Sequence, residues 1–162
     1  MPLPKSVVKI NNKDGVTFIS NVDRVNYTIR ELSRRALMDV GRFITYECAK
    51  KVRGIKSLAK VPYSAKKYFG KAYQYWVRKE ETDLRIGIHN IKYTEKDTWY
   101  GGQAELGTNG QPKRAILTTT VQENIDTIRD IEARYLSAID DERKALALIE
   151  EEEEIGDGED EA

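Results

Sequence analysis

The chain has 162 residues, 40% of them hydrophobic and 33% charged, which is one domain's worth of protein with a largely ionic surface. A single cysteine excludes an internal disulfide framework, and the absence of any run near 18 apolar residues excludes a membrane-spanning helix. The zero net charge conceals a segregation: residues 30–79 carry 14 Lys and Arg against 3 Asp and Glu, whereas residues 122–162 carry 4 against 16.

The opening stretch, MPLPKSVVKI, has no apolar run of secretory-signal length, so a soluble product made in the cytoplasm is expected. Val7, Val8 and Ile10 face Val16, Phe18 and Ile19 across a segment ending in Asp14-Gly15, the pattern of a β-hairpin. A loosely held arm that orders against a neighbour is the alternative. A long helix follows, starting between Asp23 and Thr28, with Thr28 and Glu31 at capping-box spacing. Its apolar stripe is Ile29, Leu32, Ala36, Val40, Phe43 and Ile44. Gly41 inside it suggests close packing, and Gly54 is a natural stop.

Between Gly54 and Gly70 the chain is lysine-rich and crossed by Pro62, so a loop is expected. Lys56, Lys60, Lys66, Lys67 and Lys71, interleaved with Tyr63, Tyr68 and Phe69, are candidate contacts to DNA or to an acidic partner, or else a solvated surface. The period then changes to two. Tyr73, Tyr75 and Val77, then Leu84, Ile86 and Ile88, form an aliphatic and aromatic row predicted to face the helices. Trp76, Arg78, Arg85 and His89 share the opposite side, a candidate inter-subunit face.

A polar loop leads to Trp99-Tyr100 and then Glu105-Leu106-Gly107-Thr108, and a second loop through Gly110 and Pro112 leads to the last helix. Apolar residues from Ile116 to Ile149 keep three- to four-residue steps, predicting one helix roughly 50 Å long whose far end projects or packs on a neighbour. Residues 1–150 thus read as one α/β domain, and the acidic stretch 151–162 as a disordered tail.

Little here points to reaction chemistry. One histidine and one distant cysteine make neither a zinc set nor a nucleophile and base pair, and the glycine-based phosphate loops are missing. Neither an enzyme, a metal nor a cofactor is expected. Glu105, set among small and apolar residues, is the carboxylate to watch, either capping a backbone turn or pairing with a basic residue.

The order of helix, basic loop, two strands, aromatic segment, proline loop and long helix resembles the tail-completion family of siphophage neck proteins, over about 120 residues. The most specific part is Trp99-Tyr100, Glu105-Leu106-Gly107-Thr108 and Gln111-Pro112, similar to that family's aromatic, Glu-Phe-Gly-Thr and proline signature. Leu106 stands where phenylalanine is commoner. The resemblance implies an α/β subunit with a small antiparallel sheet packed against two helices. It implies assembly, as a hexameric ring, at the end of the tail tube within the virion. Its partners would be copies of itself, connector or stopper proteins of the neck, tail-tube proteins and DNA in the channel, with no membrane. Trp76, Arg78, Arg85, His89, Trp99, Tyr100, Glu105, Leu106, Gly107 and Thr108 would make the subunit or partner contacts. A tail terminator capping the tube, or a nucleic-acid-binding module using residues 54–79, is the alternative.

Overall fold

The computed structural model of the chain describes residues 4–5, 7–11, 16–55, 72–78, 82–88, 105–107 and 112–150. Within them the fold is mixed α+β. Strands β1 (Val7–Asn11) and β2 (Val16–Ser20) precede a 33-residue helix, α1 (Val22–Gly54). Strands β3 (Tyr73–Val77) and β4 (Leu84–Ile88) follow, and then helices α2 (Ile116–Glu123), α3 (Ile125–Leu136) and α4 (Glu142–Glu150). The strands form two separate antiparallel pairs, β1 with β2 and β3 with β4, rather than the single small sheet expected. The first pairing aligns Val7 with Ser20 and Asn11 with Val16, as the hairpin reading requires.

Helix α1 starts earlier than its capping box suggested. Thr28 lies within the helix, buried, and its hydroxyl donates to the Arg24 carbonyl one turn back at 3.0 Å, so it does not cap. The first turn instead begins at Val22, where the Val25 N–H reaches the Asn21 carbonyl at 2.9 Å and Asp23 complements the helix dipole. Buried positions then recur every four residues: Thr28, Leu32, Ala36, Val40, Ile44, Cys48 and Val52. Ile29, expected in the stripe, is exposed.

The expected long C-terminal helix is three helices. Asn124 interrupts it first, with φ −114° and ψ 20° and its side-chain amide donating to the Thr120 carbonyl at 2.8 Å. Residues 137–140 form a turn, and Asp141 restarts the helix by accepting the Arg143 N–H at 3.1 Å and the Lys144 N–H at 3.4 Å. The apolar spacing continues through both breaks, which is why periodicity alone merged them.

Contacts divide the chain into two compact units, residues 1–36 with 133–162, and residues 37–132. In the first, the buried residues include Leu32, Ala36, Tyr135, Ala138, Ala145 and Ile149, and an ion pair joins Arg24 of α1 to Glu142 of α4. In the second, Val40, Ile44, Cys48, Val52, Tyr73 and Ile116 form one core, flanked by Leu84, Ile86 and Ile88 of β4 and by Leu117, Val121, Ile128 and Ile131. Gly41 is the point of closest approach. A Cβ there would lie 2.6 Å from Tyr75 Cγ, inside the ring's contact distance, so only glycine lets β3 lie this close to α1. The Arg42 Nε–H then donates to the Tyr75 hydroxyl at 3.2 Å.

Candidate functional site

The β3 and β4 register pairs Tyr73 with Ile88, Tyr75 with Ile86 and Val77 with Leu84 on the core face, and Trp76 with Arg85 on the other. Alternation along each strand produces that division, and Gln74, Trp76 and Arg85 are exposed. Trp76 remains 46% exposed although its ring reaches toward Gly87, where an added Cβ would sit 3.9 Å from Cη2. The two arginines of this face converge on one carboxylate. Arg78 Nε–H donates to both Asp83 oxygens at 2.8 and 3.1 Å, and Arg85 Nε lies 3.5 Å from Oδ2. These hydrogen bonds from Arg78 hold the Asp83 carboxyl below the usual range. Asp83 was not a sequence candidate. Its place at the end of the hairpin connection was the available signal.

The segment 105–107 is anchored at both ends. Ala115, the residue before α2, is left-handed (φ 46°, ψ 44°) and offers no side-chain cap. Glu105 supplies the cap from ten residues upstream. Its carboxylate accepts the Leu117 N–H at 3.1 Å and the Thr118 N–H at 3.2 Å, and its carbonyl accepts the Ala115 N–H at 3.3 Å. Of the two roles read from the sequence, capping is therefore the one adopted. Gly107 has φ +81°, and a Cβ on it would meet the Lys113 backbone nitrogen at 3.0 Å, so glycine is required for both torsion and space. Between these two fixed points Leu106 is 75% exposed.

Behind this segment lies a set of shielded groups. Burial pushes the Cys48 thiol and the Tyr73 hydroxyl up from their ordinary pKa values, the nearby Glu105 charge adding to each. Lys51 reaches Glu123 at 2.6 Å and Thr119 at 3.5 Å, tying α1 to the end of α2.

The first unit holds a cleft of about 340 Å³ that the sequence did not disclose, since its lining comes from both ends of the chain. Leu32, Val25, Ile29 and Ile139 line it together with Asp140 and Glu142. Lys56, Lys60, Lys66, Lys67, Lys71, His89, Trp99, Tyr100 and Thr108, as well as the stretch 151–162, lie outside the described residues. Among the described residues no group of three His, Cys, Asp or Glu could hold a metal, and no helix is long and apolar enough to cross a membrane. No family model, curated protein or solved structure matches the chain.

Proposed function

We propose that the chain is a structural subunit that assembles with copies of itself into a ring at the tail-tube end of a phage neck, completing the tail or joining it to the head. The observation carrying this reading is how much large apolar surface the chain leaves in water. Among the described residues, Ile19, Val25, Ile29 and Ile139 are exposed and together line the cleft of the first unit, and Trp76 and Leu106 are exposed elsewhere. Single exposed aliphatics are ordinary, but a group of them around one cleft is what an assembling subunit presents. The segregation of basic and acidic stretches suits unlike surfaces meeting head to tail, and such a contact closes into a ring when its rotation permits. The signature residues Glu105 and Gly107 build a rigid local structure, consistent with a recognition element. A hexamer, with tail termination as the alternative to tail completion, belongs to the same proposal and rests on the resemblance alone.

Sedimentation velocity from micromolar to the highest soluble concentration, with negative-stain imaging of the heaviest species, tests it. A discrete oligomer with a central opening is expected. A chain that stays monomeric throughout, alone and mixed with purified tail tubes, overturns it.

A further inference from the structure

The exposed Leu106 and the cleft of the first unit are complementary in shape class and in charge. Leu106 is displayed between two constrained residues, Glu105, hydrogen-bonded to the start of α2, and Gly107, whose left-handed torsion and close neighbour Lys113 leave no room for a side chain. Such a side chain contributes nothing to its own core, yet it can be buried on a partner without the entropic cost of ordering a loop. A side chain that fills a well-packed, desolvated pocket near the centre of an interface can carry a large share of its binding energy. Lys113, exposed, lies against the neighbouring Gly107.

The cleft offers the converse. Leu32, Val25, Ile29 and Ile139 give it apolar walls, and its 340 Å³ exceeds what one leucine side chain fills. Of the two carboxylates at its rim, Glu142 is paired with Arg24, and among the described residues no ion pair reaches Asp140. An exposed leucine beside Lys113 and an apolar cleft edged by Asp140 are complementary in polarity and in charge.

We infer that Leu106 of one copy seats in the Val25, Ile29 and Ile139 cleft of the next, with Lys113 placed against Asp140. The inference rests on the self-assembly reading and specifies its contact. The two patches are different surfaces of the chain, so the contact is heterologous and propagates to a ring or a filament rather than stopping at a two-fold dimer.

Two measurements on the full chain test it. In sedimentation equilibrium, L106S should weaken association at least tenfold, and K113E and D140K should each weaken it, whereas K113E with D140K should recover most of the loss. Leu106 and Lys113 are exposed, so none of these depends on an altered core, and circular dichroism of each variant checks the fold. In the second measurement, a benzoyl-phenylalanine photocrosslinker replaces Leu106 in a mixture of isotopically light and heavy chains. Light-to-heavy crosslinks should map to peptides spanning 22–32 or 136–142. If the wild type assembles but L106S associates equally well, or the crosslinks map elsewhere, the contact is wrong and the assembly reading survives. If the wild type never associates, both fall.

Discussion

Removing the Glu105 carboxylate isolates the physical role of the signature segment. In E105A the Leu117 and Thr118 N–H groups lose their acceptor, at 3.1 and 3.2 Å, and Ala115 provides no replacement. A helix cap lost to alanine costs about 0.5–2 kcal/mol, and hydrogen bonds to a charged group lie at about 1.5–3 kcal/mol. Glu105 is only partly buried, so water re-solvates part of the freed terminus and the expected loss is about 2 kcal/mol. E105Q keeps an acceptor oxygen but removes the charge that complements the helix dipole, and should lose about half as much. Urea unfolding followed by circular dichroism reads both, with the midpoint falling and the slope unchanged because the exposed area is the same. Because the site is reached by solvent, added salt should shrink the difference between E105Q and wild type. An E105A chain as stable as wild type within about 0.5 kcal/mol would refute the claim that this carboxylate holds α2 in place.

Three further outcomes follow from the same geometry. G41A should destabilise by about 1–3 kcal/mol, because the new methyl meets the Tyr75 ring, whereas in a Y75A background the same change should stabilise by about 1 kcal/mol through helix propensity. Matched denaturant curves of the four chains give both values. G107A should cost about 1–2 kcal/mol from its left-handed torsion and the approach of its Cβ to the Lys113 backbone, and G107V more, since the branched side chain adds bulk at the same place; thermal unfolding ranks them. The Cys48 thiol and Tyr73 hydroxyl keep their protons in the folded chain above the pH at which the unfolded chain loses them. Stability should therefore be unaffected by these groups at neutral pH and fall as pH rises beyond about 8.5, the thiol staying unreactive to alkylating reagents until urea unfolds the chain. Rapid alkylation of native protein at pH 8.5 would contradict that burial.

The parts of this fold that the sequence disclosed are those governed by local periodicity. Apolar clusters flanking an Asp-Gly turn disclosed the first hairpin, and a period of two disclosed the second with the residues of β3 and β4 that face the core, because a strand exposes alternate side chains whatever lies beyond it. Helical spacing found α1, and Gly41 was legible as a packing point because glycine in a helix interior costs stability unless a neighbour needs the space. The start of α1 was not legible, since Thr28 can satisfy its hydroxyl within the helix as readily as at its end. Asp83 and the cleft were missed for another reason. Arg78 is legible as charged, but its partner is chosen by the turn between the strands, and the cleft joins residues more than 100 positions apart.

The broken C-terminal helix shows how a local chemical choice creates a surface that periodicity would have erased. Had residues 116–149 continued as one helix, Leu136 and Ile139 would belong to a single apolar stripe. Instead Ser137 hydrogen-bonds back to the Arg134 carbonyl at 2.8 Å, the chain turns, and Asp141 re-caps the backbone for α4. That turn places Ile139 and Asp140 together at the cleft while leaving Leu136 exposed. A re-capped break costs a turn of helical hydrogen bonds, and its return within this unit is an apolar wall with an acidic edge rather than a larger core. In the proposed contact, that wall and its acidic edge are the surface that Leu106 and Lys113 of a second copy would meet, so the break in the helix and the contact stand or fall together in the same variants.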